Sequence, residues 1–338
     1  MQRFLWLKGI VKSAIETALD ILIDWAMPHS LLSRTRLKHF SVPTWVPCHH
    51  VLNQKVQRLE ILDMLRESGI KNPERLKVWW SRHLGNFGDE LMPYLLARIA
   101  GADCLFDRKK HLLGIGSTVR LAQDHSYVWG SGIIRDNEAI VASPKCLAVR
   151  GPLTRNNLKK HGIPCPKVFG DPAMLFPLIY RPTLHVTNSI GLVVPHFKHT
   201  NLLDRIPDFE FIDLHVRSKQ KIESVIDHIA SARCVLTSSL HAFIFSVAYG
   251  VPVAVFKLES QNIGGDNIKF DDFCLGVGME RFRIHTLHNA GEGDLRALVE
   301  KAEIYTPNWS ATPLLNSLKE ICNSPSIDRL IEKAASMQ

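Results

Sequence analysis

The sequence predicts an α/β protein of two parallel-sheet units with extra helices at both ends. Three observations predict it. From residue 75 onward, short apolar runs alternate with helical stretches, the pattern of parallel strands joined by crossover helices. Several runs end in small residues that permit a sharp turn, as at Gly116-Ser117 and Gly130-Ser131-Gly132. A chain of 338 residues exceeds what one hydrophobic core usually holds, so two domains are the default.

Residues 28–74 read as a polar connection containing Pro and His, with one helix near 53–68. Residues 76–80 read as the first strand. Asp89 is placed to cap a helix running to residue 100, and Gly101 to end it. Strands are expected at 112–115, 127–129 and 146–150. Pro152 sits in the favourable first turn of a helix to residue 160. Val168-Phe169 leads into Gly170-Asp171-Pro172. The pattern breaks between residues 178 and 188, around Arg181-Pro182 and Thr183, and a boundary is expected there. The second unit has strands at 190–194, 211–214, 234–236 and 253–256, with helices at 219–231 and 240–249. The last fifty residues read as helices that pack back across the molecule. The expected organisation is an extension over 1–74, domains over 75–185 and 186–305, and terminal helices over 306–338.

Composition narrows the classes. The chain is 46% hydrophobic and 22% charged, which excludes disorder. Its net charge is +8, but the Lys and Arg residues are dispersed, with no long basic run. An anionic substrate or membrane surface is therefore expected, and nucleic acid is not. The seven cysteines are widely spaced and form no C-x-x-C, which reads as reduced thiols in a cytoplasm and not as a disulfide framework or zinc site. No metal is expected. Residues 4–27 are apolar but interrupted by Lys8, Lys12, Glu16, Asp20 and Asp24, so they fit neither a membrane span nor a signal peptide. Two readings stay open for them: a helix lying on a membrane surface or a partner, and a helix packed on its own protein.

Three segments offer chemistry. The first is the turn from a strand through Thr237-Ser238-Ser239-Leu240-His241 into a helix. Free N–H groups and the helix dipole attract anions there. Ser238 and Ser239 can cap the helix or bond a phosphate, and His241 would face the ligand cleft at the strand ends. A capped helix with a satisfied histidine is the plainer alternative. The second is Gly85-Asn86-Phe87-Gly88-Asp89, whose glycines allow close approach to a ligand but match neither a dinucleotide fingerprint nor a P-loop. The third is Val149-Arg150-Gly151-Pro152, an arginine just ahead of a helix N-terminus, suited to a carboxylate or phosphate. His196 and Lys198 in Pro195-His196-Phe197-Lys198-His199 are candidates for anion contact.

Taken in order, these segments resemble the polysaccharide pyruvyl transferase family. The matching stretches are Gly85-Asn86-Phe87-Gly88-Asp89-Glu90, Gly114-Ile115-Gly116-Ser117, Trp129-Gly130-Ser131-Gly132, Val149 to Thr154, Gly170-Asp171-Pro172-Ala173, Val194-Pro195-His196, and Ser238 to His241 with Gly250-Val251-Pro252. The resemblance implies two Rossmann-like domains facing a cleft, as in GT-B enzymes. It implies phosphoenolpyruvate as donor, a glycan or lipid-linked oligosaccharide as acceptor, and a ketal product, with no cofactor. The family's essential histidine falls on His241 and its essential arginine on Arg150. Asp89 or Asp171 is the candidate base for the acceptor hydroxyl. Asn86, Gly88, Ser131, Asp171, His196, Lys198, Ser238 and Ser239 are the expected substrate-lining residues. Some relatives have a basic residue two positions before the histidine. Here it is Ser239, and Lys198 and His196 are its expected substitutes. A lipid-linked acceptor implies a cytoplasmic protein, peripheral at the plasma membrane. The rival readings are a GT-B glycosyltransferase using a nucleotide sugar, with Glu259 as its acidic residue, and a non-enzymatic anion- or glycan-binding protein.

Overall fold

The computed structural model describes residues 49–81, 85–196, 206–259, 267–279 and 282–337. The N-terminal stretch 4–27, Cys48, Lys198 and His199 lie outside the described residues.

Helix α1 (His49–Glu67) precedes a five-stranded sheet made of β1 (Arg75–Trp79), β2 (Asp103–Phe106), β3 (Leu112–Leu113), β4 (Tyr127–Trp129) and β5 (Lys145–Ala148). Helix α2 (Phe87–Ala100) joins β1 to β2, and α3 (Pro152–Lys160) follows β5. A 3-10 turn (Pro172–Leu175) and the short α4 (Phe176–Ile179) lead toward the second sheet. That sheet comprises β6 (Gly191–Val194), β7 (Phe209–Phe211), β8 (Val235–Thr237), β9 (Val253–Leu258) and β10 (Ile284–Leu287). Its helices are α5 (Lys219–Ser231) after β7, α6 (Leu240–Ala248) after β8, α7 (Ile268–Gly276) after β9 and α8 (Glu292–Val299) after β10. Helices α9 (Ala311–Leu318) and α10 (Pro325–Ser336) close the chain.

All eight strand pairings are parallel. The first sheet is ordered β2-β1-β3-β4-β5 and the second β10-β9-β8-β6-β7. Numbered within its own half, the second reads 5-4-3-1-2, the first sheet's 2-1-3-4-5 in reverse. Each half thus has its switch in strand order between its first and third strands, where open α/β sheets bind ligands beyond the carboxyl ends. The loop Gly85–Asp89 leaves β1 and Gly116 follows β3; His196 follows β6 and Ser238 follows β8. Four sequence-predicted segments therefore gather at two switch points.

Local chemistry explains the elements. β6 and β8 are buried along their whole length, as two-sided parallel strands must be, and read as apolar runs. Gly101 ends α2 in the left-handed conformation at φ 66°, its N–H donating to Ala97 O. Ser218 caps α5, accepting the N–H of Lys221. Helix α1 belongs to the main core through buried Ile61, Met64 and Leu65. It also touches both halves: Arg58 forks onto Asp103 at 2.8 and 3.2 Å, and Glu60 accepts the Lys219 N–H at 2.7 Å. The terminal helices return to the first half, where Trp129 Nε1 donates to Leu314 O at 2.9 Å and Lys333 Nζ to Leu178 O at 2.8 Å.

Several details differ from the sequence expectation. β2 and β10 were not expected, nor was α7. Asp89 does not cap α2: the helix starts at Phe87, Asn86 holds the N-cap position, and Asp89 lies in the first turn. The strand expected at 211–214 lies at Phe209–Phe211, because Leu214 and Val216 turn away to pair with the Gly85 loop of the other half. Among the described residues, the six cysteines are free and buried. No described helix is long and apolar enough to cross a membrane.

Candidate active site

The site is built where the loop after β1 meets the turn after β8. Thr237 ends β8 with its hydroxyl donating to Val194 O at 2.6 Å and accepting the Ser239 N–H at 2.9 Å, which ties β8 to β6 and tightens the turn. Ser239 holds the N-cap position of α6 with no side-chain cap bond. Ser238 instead accepts the His196 N–H at 2.9 Å, joining the ends of the two strands. His241 falls in the first helical turn and points at the opposite half. There it lies against Gly88, and a Cβ at position 88 would overlap Nδ1 of the imidazole. Only glycine lets the backbone of α2 approach this closely. The loop is registered across the seam: Phe87 N–H donates to Leu214 O at 2.9 Å and Val216 N–H to Gly85 O at 2.7 Å.

Beside His241 stands Asp171. Its Oδ1 accepts the Ala173 N–H at 3.0 Å and caps the 3-10 turn. Its Oδ2 faces His241 Nε2 at 4.0 Å. Both atoms are buried and neither has a hydrogen-bond partner among the described residues. Two unmet polar atoms facing each other inside a protein are costly unless something else completes them. Trp309 supports this turn from the far end of the chain, donating to Phe169 O at 2.8 Å.

The site's electrostatics follow from burial. His241 is 8% exposed. Burial, with the positive charges of Lys269 and Arg150, holds its pKa down at about 3, so the imidazole is neutral at pH 7. Burial raises Asp171 to about 6, partly offset by the Ala173 N–H and Arg150. Burial likewise lifts Asp89 to about 6, with the Asn86 amide, 3.1 Å from Asp89 Oδ2, pulling the other way. The site therefore holds a neutral imidazole and two carboxyls that titrate near neutrality, a combination able to store and pass a proton.

Arg150 is placed inside the protein and is fully buried. Its Nε donates to Asp272 Oδ2 at 3.2 Å, Nη1 to Ser117 Oγ at 2.8 Å and Nη2 to Ile133 O at 2.6 Å. The anion expected beside this arginine is the protein's own carboxylate. Direct contact with a substrate anion would require this network to open. Ser131 is also fully buried, its hydroxyl bonded to Thr118 and to Gly116 O, so it braces the turns after β3 and β4. Asn86, Gly88, Asp89, Asp171, His196, Ser238, Ser239 and His241 are gathered around the seam.

The sequence reading missed Lys269. It lies in the first turn of α7, is 7% exposed, and is the larger of the two charges acting on His241. Its positive charge acts on the histidine in a chain that has Ser239 two positions before it. Its signal in the sequence was a lone lysine in Asn267-Ile268-Lys269-Phe270, with nothing local to connect it to His241.

The family model of the polysaccharide pyruvyl transferases matches residues 83–260, just over half of the chain. The chain belongs to the polysaccharide pyruvyl transferase family. A similar protein is the uncharacterized protein L143 of Acanthamoeba polyphaga mimivirus, 22% identical over 251 residues, which cover 70% of this chain and 86% of the relative.

Proposed function

We propose that this chain transfers pyruvate from phosphoenolpyruvate to a sugar of a lipid-linked polysaccharide precursor, forming a ketal and releasing phosphate in the cleft of a GT-B-like arrangement. The observation that carries this reading is the pair of unmet atoms, His241 Nε2 and Asp171 Oδ2, 4.0 Å apart, with the positive charges of Lys269 and Arg150 acting on the imidazole.

The donor brings a carboxylate and a phosphate. Lys269, whose charge acts on His241, is the proposed cation for one of them, and the N-terminus of α6 offers its N–H groups to the other. A bound anion offsets the charges that hold the imidazole neutral, so donor binding raises the proton affinity of His241. Asp171, titrating near neutrality, stands where it can hand over or steady that proton. His241 then protonates the methylene carbon, the carbon–carbon double bond opens, and the neighbouring carbon becomes oxocarbenium-like. A sugar hydroxyl attacks that carbon and gives its proton to Asp89. The bond to the phosphate oxygen breaks, a second hydroxyl closes the ketal, and its proton leaves with phosphate. His241 loses one proton and Asp89 gains one, so the site keeps its proton count; Asp89 then releases its proton to solvent and the His241–Asp171 pair takes one up, which restores the starting state. Arg150 takes part through its charge and its bracing, without touching substrate.

The test is an assay of phosphate release and pyruvate incorporation with phosphoenolpyruvate and a panel of lipid-linked and soluble oligosaccharides. Run in deuterated water, each pyruvyl methyl should gain one deuterium. Full turnover in His241→Ala, or release of a nucleoside diphosphate from a nucleotide sugar in place of phosphate, would remove this reading.

A further inference from the structure

Helix α7 carries Lys269 and, three residues on, Asp272, so the two side chains share one helix face. Asp272 belongs to the second half of the molecule, yet among the described residues the four donors to its carboxylate lie in the first. Oδ1 accepts the N–H groups of Leu153 at 2.9 Å and Thr154 at 3.0 Å. Oδ2 accepts the Thr154 hydroxyl at 2.6 Å and Arg150 Nε at 3.2 Å. The carboxylate therefore fills the N-terminus of α3, which has no capping side chain of its own. The backbones press together at the same point. A Cβ at Gly276 would overlap Arg150 O, and one at Gly151 would overlap Asp272 O. Four donors and two glycine contacts leave α7 little freedom to slide.

We propose that Asp272 is a positioning residue: it fastens α7 to the N-terminus of α3 and to Arg150, and so fixes the helix that carries Lys269. A lysine reaches its target through a flexible four-carbon stem, so its charge is placed only as well as its helix is placed. The same clamp keeps the two halves in the relation that sets Gly88 against His241. The inference rests on the pyruvyl-transfer reading only for the identity of the anion that Lys269 meets.

The experiment compares the wild type with Asp272→Asn, Lys269→Met, the double variant and Thr154→Val. In the ligand-free proteins, acylation of each lysine by acetic anhydride is followed by mass spectrometry. Lys269 should be protected in the wild type and react faster in Asp272→Asn, with lysines away from α7 unchanged. In the pyruvyl transfer assay, Asp272→Asn and Lys269→Met should each raise KM for phosphoenolpyruvate about tenfold, and the double variant no further, because coupled residues are not additive. Thr154→Val, which removes one of the four donors, should move both readouts the same way by less, and serves if Asp272→Asn does not fold. Unchanged Lys269 acylation, or KM effects that multiply in the double variant, overturns the proposal. A wild type that ignores phosphoenolpyruvate while Asp272→Asn still unmasks Lys269 would remove the functional reading and leave the positioning role standing.

Discussion

The N-termini of α3 and α6 are built from the same ingredients and end in opposite states. Each follows a parallel strand through a sharp turn, and each has a basic or imidazole side chain at the junction, Arg150 in one and His241 in the other. At α3 the protein fills the site itself: the Asp272 carboxylate takes four donors and Arg150 has a partner at every nitrogen. At α6 the N-cap side chain of Ser239 makes no cap bond, and among the described residues His241 Nε2 faces Asp171 Oδ2 with neither bonded. A saturated helix end is architecture. A helix end that keeps buried polar atoms unmet carries a cost in the free protein that a ligand can relieve. That difference, more than residue type, separates the brace from the candidate catalytic centre.

The comparison can be broken in four ways. The largest effect is expected from His241→Gln, which should lower pyruvyl transfer by about 10²–10⁴-fold if His241 is the acid, while the melting temperature moves little because no satisfied bond is lost. Arg150→Met should do the reverse to the fold. It leaves the Asp272 charge buried and uncompensated, and breaking such a pair costs about 3–5 kcal/mol, to be read from urea denaturation. Gly88→Ala pushes a methyl group into the imidazole. A displacement of about 1 Å at a reacting group can cost roughly 10²-fold, so turnover should fall by about that factor, with about 1–3 kcal/mol of overpacking in stability. The smallest effect concerns pH. Asp171 titrates at about 6 in the fold against an ordinary 3.8, so the folded state holds its proton more tightly and loses stability as pH rises through that window. Asp171→Asn removes this, and the variant should gain on the order of 2 kcal/mol relative to the wild type between pH 4 and 7. His241 has the opposite sign: its depressed pKa costs stability as pH falls below 6.5. Denaturation curves at several pH values read both slopes.

Much of this was legible in the sequence, for physical reasons. Strand and helix alternation is a local pattern, so the α/β class and the strand–turn–helix segments could be read directly. The turn around Arg150 was recognisable as a place that holds an anion. What could not be read is that the anion is Asp272, 122 positions away in sequence. Pairings of that range leave no mark in either segment alone. Lys269 was hidden for the same reason. β2, reading Asp-Cys-Leu-Phe, and β10, reading Ile-His-Thr-Leu, are too short and too mixed in polarity to stand out. The displacement of the α2 cap from Asp89 to Asn86 shows a local competition that composition does not decide, since both side chains suit a helix N-terminus. The strand order of the sheets, and with it the convergence on the two switch points, came only with the fold.

The central claim is that the unmet end of α6 receives phosphoenolpyruvate. Thermal unfolding with phosphoenolpyruvate, and separately with a panel of nucleotide sugars, tests it without knowledge of the acceptor. A ligand at a hundred times its dissociation constant stabilises by about 2.7 kcal/mol, which moves the midpoint by a few degrees. The account predicts such a shift with phosphoenolpyruvate, lost in Lys269→Met, and none with the nucleotide sugars. A shift with a nucleotide sugar alone would contradict it.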